Sequence, residues 1–175
     1  NLVAHKVGPA IAGGNAVVIK PASDTPLSAL KLTEILLDAG LPAEAIQCVT
    51  GSGSAIGDAL VSNPAVRKVT FTGSQEVGEH ITHTARLKKV TMELGSNSPL
   101  IVLPDADIDK VVAATVQSGY SNAGQVCIST QRVIVDKSVY SDFLDALAPS
   151  VEALSTGDPM RETVNVGPMV RESDA

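Results

Sequence analysis

Residues 67–93, RKVTFTGSQEVGEHITHTARLKKVTME, decide how the chain folds. Arg67 to Phe71 reads as a strand, Thr72-Gly73-Ser74 as a turn opening a helix toward Ala85, and Lys89 to Glu93 as the next strand. A strand that returns through a helix pairs in parallel with the one before it. Working toward the start, Ile46 to Val49 reads as a strand leading into Gly51-Ser52-Gly53-Ser54 and a helix through about Val61. Before it, Ala16 to Lys20 is a buried strand, followed by a helix to Ala39 with Thr25 as its cap and Pro26 at its first position. Residues 2–12 form a helix stopped by Gly13-Gly14-Asn15. Working toward the end, Leu100 to Leu103 is a strand, and Asp105-Ala106-Asp107 caps a helix with Ile108, Val111, Val112, Thr115 and Val116 on one face. Arg132 to Val135 is a strand, Ser138 to Leu154 a helix, and a turn-rich tail follows. The class is therefore α/β with parallel strands, which places ligand contacts at the carboxyl ends of the strands.

Composition narrows the function classes. The 175 residues are 44% apolar, enough for a real core, and the formal net charge of −6 gives no electrostatic footprint for nucleic acid. Aromatic residues are only 2%, which argues against stacking platforms for bases or sugars. No apolar run reaches membrane-spanning length, and the two cysteines make neither a disulfide framework nor a metal cluster. A reducing, cytoplasmic setting is the expectation.

Two side chains carry candidate chemistry. Cys127, in Gly124-Gln125-Val126-Cys127, fits a buried structural cysteine or a nucleophile, and at a helix start its thiolate would be stabilised. Glu93 ends a strand before Leu94-Gly95, as a strand-end charge or, if buried, a general base. Cys48, inside an apolar strand, reads as core. Two strand-to-helix turns are cofactor candidates: Gly51, Gly53 and Gly57 in a Gly-x-Gly-x-x-x-Gly spacing, and Phe71-Thr72-Gly73-Ser74. Neither has the Gly-Lys-Ser/Thr of a P-loop. Lys20 reaches a ribose or phosphate or simply faces solvent. His80 and His83 lack the acidic or cysteine neighbours that zinc needs.

Together these segments resemble the aldehyde dehydrogenase superfamily along essentially the whole chain. The ordered motifs are Gly13-Gly14-Asn15 with Val18-Ile19-Lys20-Pro21, Phe71-Thr72-Gly73-Ser74, Met92-Glu93-Leu94-Gly95 and Gly124-Gln125-Val126-Cys127. The resemblance implies a Rossmann-like dinucleotide-binding domain over 1–94 and the start of a thiol-bearing α/β catalytic domain over 95–175. It implies Cys127 as nucleophile, Glu93 as activator of the deacylating water, Lys20 on the adenosine ribose and Ser74 near the pyrophosphate, with Leu94 and Gly95 completing the glutamate motif. NAD or NADP is the implied cofactor. Ser23 stands where NAD-preferring members often carry glutamate, so nothing there repels a 2′-phosphate. Ser96 stands where many members have glycine, and Ser96-Asn97-Ser98-Pro99 resembles a branch acting on lactaldehyde and related small hydroxy- or semialdehydes.

The same resemblance implies a small aldehyde substrate, a homodimer or homotetramer, and a chain that is the central piece of a longer protein. The oxyanion-hole asparagine is expected before Asn1, and the nicotinamide-ribose glutamate after Ala175. Loss of one such donor costs about 3 kcal/mol of transition-state stabilisation, so the chain alone is expected to turn over little. A CoA-acylating relative is the enzymatic alternative, disfavoured by Glu93; a non-catalytic structural relative is the other.

Overall fold

A computed structural model describes residues 1–175. It contains two compact units, Asn1–Leu94 and Gly95–Ala175. Strands and helices alternate in both, and every strand pair is parallel. Hydrogen bonding groups the strands as three separate pairs, each closed by one crossover helix, rather than as one continuous sheet. The strands are short, from three to five residues, so each ladder engages only the strand at the other end of its own crossover.

In the first unit, β1 (Val17–Ile19) pairs with β2 (Ile46–Cys48), and α1 (Leu2–Ala12) and α2 (Leu27–Asp38) pack on the pair. Val7, Ile19, Ala29 and Ile46 form the buried cluster, with Val3, Ile11, Val17, Leu36, Leu41 and Cys48 against it. Thr33 faces this core at helical spacing from Ala29, and its hydroxyl donates to the Ala29 carbonyl at 2.9 Å, which removes the cost of burying it. The expected Thr25 cap is not made. Pro26 already has helical dihedrals, and no side chain caps the first turn.

α3 (Asp58–Ser62) leads to β3 (Lys68–Thr72), then α4 (Gln75–Ala85) and β4 (Lys89–Glu93). The β3–β4 register sets Val69 beside Val90 and Phe71 beside Met92 on one face, and Thr70 beside Thr91 on the other. The first face is the half-buried one, so period-2 alternation is the pattern of these strands. Lys6 of α1 donates to the Thr70 hydroxyl at 3.1 Å on the polar face.

In the second unit, β5 (Pro99–Val102) pairs with β6 (Arg132–Val135) across α5 (Ile108–Tyr120), and α6 (Tyr140–Glu152) packs beside α5. Val102, Val112 and Phe143 are buried, and so is Thr115, whose hydroxyl bonds the Val111 carbonyl. The tail folds back on itself: Ser155 and Asn165 exchange side-chain and backbone hydrogen bonds, and Thr156 bridges Val166.

Candidate active site

Parallel pairing places the carboxyl ends of β1 and β2 side by side, and the Val49 N–H extends the ladder to the Ile19 carbonyl at 2.8 Å. Lys20 leaves one strand where Thr50 and Gly51 leave the other. Its ammonium donates to the Pro21 carbonyl at 2.8 Å and the Gly51 carbonyl at 3.4 Å. Ser23 Oγ donates to the same Gly51 carbonyl at 3.5 Å. Gly51 has φ 153°, a conformation that L side chains rarely adopt and that aims this carbonyl at Lys20. Ser23 and Gly51 line an open cleft of about 180 Å³, with Pro21, Ala22, Pro26, Thr50 and Ser52, and Lys20 reaches it through its bond to the Gly51 carbonyl. No carboxylate lines it. A cation bound only to carbonyls, with a hydroxyl beside it, is chemically suited to a ribose or a phosphate.

Gly53 and Gly57 bound a π-helical turn ahead of α3. The Ala55 and Ile56 N–H groups of that turn are taken by the Ser52 carbonyl, and Ser52 Oγ also accepts from Ala55 at 3.1 Å. Those two donors therefore serve the cap, a role the glycine spacing did not reveal.

At the other strand pair the Phe71–Ser74 turn and the Glu93–Leu94 segment come together. Thr72 stands beside Glu93 in the ladder, and the Gly73 N–H donates to the Glu93 carbonyl at 3.1 Å. Ser74 caps α4, its Oγ accepting from the Val77 N–H at 3.3 Å. Thr72 Oγ1 is shielded from solvent without a hydrogen-bond partner. Leu94 lies directly over Gly78 of α4, where an added Cβ would come within 2.6 Å of Leu94 Cδ2. The Glu93 side chain is exposed.

Cys127 and Gly95 belong to the second unit. Cys127 does not begin a helix; it sits in the turn Val126–Ile128, closed by the Ser129 N–H on the Val126 carbonyl at 2.9 Å. Helix-terminal stabilisation of its thiolate is thus absent, because the chain continues from the turn into β6. The thiol is free and exposed, and the Cys127 N–H makes no backbone hydrogen bond. Behind the turn, Ser129 is 3% exposed and its hydroxyl reaches the Ser118 and Gly119 carbonyls at 3.0 and 3.3 Å. In front of it, Asn122 and Ala123 take left-handed dihedrals, φ 52° and 55°, and Gly124 follows at φ 74°. For alanine this costs on the order of 1–2 kcal/mol. The sequence signalled it only through the asparagine and glycine, which tolerate that region. Cys48 is of the other kind: burial pushes its thiol up, partly offset by a hydrogen bond with Thr33, as befits a packing residue.

The aldehyde dehydrogenase family matches residues 1–175. The chain is 49% identical over its whole length to a 3-sulfolactaldehyde dehydrogenase of Priestia aryabhattai, of which it covers 37%. It is 44% identical over 173 residues to the succinate-semialdehyde dehydrogenase [NADP(+)] GabD of Escherichia coli, covering 36% of that protein. Among solved structures, glyceraldehyde-3-phosphate dehydrogenase GapN from Methanocaldococcus jannaschii, complexed with NADP, superposes with a TM-score of 0.93 at 41% identity over 97% of this chain and 38% of its own. The chain thus spans little more than a third of the length of these relatives. With its full length matched, and with parallel α/β architecture shared, the chain belongs to the aldehyde dehydrogenase family.

Proposed function

We propose that the whole protein oxidises a small hydroxy- or semialdehyde to its carboxylic acid with NAD or NADP, using Cys127 as nucleophile and Glu93 as the base for deacylation. The observation that carries this reading is Cys127 itself: a free, exposed thiol on a turn anchored at Ser129, with its own N–H uncommitted. Residues 1–94 then serve as a partial dinucleotide-binding domain, and 95–175 as a partial catalytic domain. Lys20, Ser23 and Gly51 fit the ribose end of the dinucleotide on the donor chemistry of their cleft, with Ser74 and Gly73 nearer its pyrophosphate.

Cys127 Sγ, as thiolate, adds to the aldehyde carbon, and the carbonyl pair becomes an oxyanion facing the Cys127 N–H. A bound nicotinamide supplies the acceptor for the hydride that leaves this carbon. The carbon remains on Cys127 as a thioester. Glu93 takes a proton from water, the hydroxide adds to the thioester, and the carbon–sulfur bond breaks to release acid and restore the thiolate.

The test separates the two roles. In the whole protein, Cys127→Ser abolishes reduced nicotinamide formation. Glu93→Gln retains a burst near one equivalent per site and loses most steady-state turnover. A Cys127→Ser variant with the parent rate would overturn the proposal, and acyl-CoA formed in preference to acid when CoA is supplied would overturn the hydrolytic step.

A further inference from the structure

The turn that carries Cys127 is held at its far end by Ser129, and at its near end chiefly by the side chain of Gln125. The Asn122 carbonyl, inside the left-handed run, accepts from both the Gln125 N–H at 3.1 Å and Gln125 Nε2 at 2.9 Å. Asn122 Nδ2 returns a bond to the Gln125 carbonyl at 3.2 Å. These bonds close a clasp around Asn122 and Ala123, the two residues with side chains that occupy the disfavoured region.

The other edge of the Gln125 amide faces a segment far along the chain. Oε1 accepts from the Val170 N–H at 2.9 Å, and Nε2 lies 3.5 Å from the Pro168 carbonyl. A carbonyl and an N–H two residues apart are the pair that a neighbouring strand would engage, so the side-chain amide substitutes here for a peptide unit. Between Gln125 and Ser129 stand only Val126, Cys127 and Ile128, and no side-chain hydrogen bond fixes any of the three.

We propose that Gln125 is a positioning residue for the nucleophile: its amide locks the left-handed turn to the 168–170 backbone and thereby sets the direction of the Cys127 thiol. The inference rests on the reading of Cys127 as nucleophile. It predicts a loss in chemistry rather than in cofactor binding, because no atom of Gln125 is required to touch the dinucleotide. Misplacement of a reacting atom by a fraction of an ångström to an ångström is what removal of the clasp would cause.

Gln125→Met preserves length and removes every amide bond; Gln125→Glu keeps the acceptor for the Val170 N–H. In the whole protein, Gln125→Met is expected to lower kcat about 10- to 100-fold, with KM for NAD(P) within about twofold. It should also slow iodoacetamide alkylation of Cys127, and Gln125→Glu, which keeps the Val170 acceptor but sets an oxygen against the Asn122 carbonyl, should recover only a small part of both rates. Where Gln125→Met fails to fold, Val170→Pro removes the same N–H from the opposite side and should reproduce the kcat loss. Parent-like kcat and alkylation in the folded variant would overturn the inference, as would a loss confined to thermal stability with full activity per folded molecule. If Cys127→Ser keeps turnover, the nucleophile assignment fails instead; if it is inactive while Gln125→Met matches the parent, only the positioning role fails.

Discussion

Glu93 owes its place to residues that carry no chemistry of their own. The Gly73 N–H holds its carbonyl, and the next side chain, Leu94, occupies the space left by the missing Cβ of Gly78. Gly78→Ala brings a methyl within 2.6 Å of Leu94 Cδ2. Alanine favours the helix by about 1 kcal/mol, whereas overpacking costs about 1–3 kcal/mol, so the variant should be net destabilised by up to about 2 kcal/mol in urea unfolding. Shortening Leu94 to Ala in the same chain should return part of that loss, giving a favourable coupling term. A strictly additive cycle would show that the two side chains do not compete for the space. Ser23 allows a second residue-scale prediction. Ser23→Glu sets a carboxylate beside the Gly51 carbonyl and the Lys20 ammonium, where a 2′-phosphate would otherwise meet that ammonium and a hydroxyl, with no carboxylate in the cleft lining. Use of NADP relative to NAD, read as the ratio of kcat/KM values, should fall by about tenfold or more, the scale of one like-charge contact in partly hydrated surroundings. An unchanged ratio would remove Ser23 from the cofactor site. At this scale the sequence singled out Cys127 and Glu93 as candidates because their motifs are contiguous. It hid Gln125, whose Val170 partner lies 45 positions away, and Gly78, whose role depends on Leu94 just beyond a later strand.

Elements were legible where their signals act over three or four residues. Ser74 and Asp107 both cap helices as their sequence positions implied, each accepting the N–H three residues on. Thr25 did not, because Pro26 fixes the entry dihedral without help from a side chain, and an expected cap is only an opportunity. Strand alternation and helix spacing likewise located β3, β4 and α5 and implied parallel pairing, which all three ladders show, but which strands share a ladder is a long-range matter that the sequence left open. The Asp107 cap yields a pH dependence. The Lys110 side chain, then the Lys110 N–H, hold the Asp107 carboxyl below the ordinary aspartate range. A lowered native value means that its stabilising contribution is complete above the ordinary range and disappears as pH falls through the lowered value. Asp107→Ala should therefore lower the thermal midpoint at neutral pH, and the difference from the parent should narrow as the pH falls below the ordinary aspartate range. Because the ion pair with Lys110 is solvent-exposed, added salt should narrow part of the gap as well. A gap that stayed constant from neutral pH to acid would show that the charge plays no part in the cap.

A folded monomer of this mass exposes about 8,000 Å², and two separate units of half the mass about 9,700 Å². The chain exposes 12,094 Å², more than either. The excess follows from the way each strand pair is covered. The β5–β6 pair buries Val102 yet leaves Ile101 65% and Ile134 49% exposed, and Leu103, just after β5, is 58% exposed. Leu27 and Ile35 of α2 are similarly open. The 44% apolar composition promised a substantial core, but composition does not tell which faces meet, and much of this apolar surface meets nothing within its own unit. Open parallel pairs add unbonded strand edges to those faces. Surface of this kind lowers its free energy by contact with further polypeptide, at about 25 cal/mol for each Å² of apolar area removed from water. The 175-residue chain, purified by itself, should consequently bind a hydrophobic dye strongly in its native state. Its sedimentation coefficient should also rise with concentration across the micromolar range. Mutating Ile101 and Ile134 together to Thr, which keeps the β-branch while adding a hydroxyl, should weaken both signals and leave helix content intact. A monomer that stays dye-silent at high concentration would mean that these faces close on each other in solution, and that the core is larger than its buried side chains indicate.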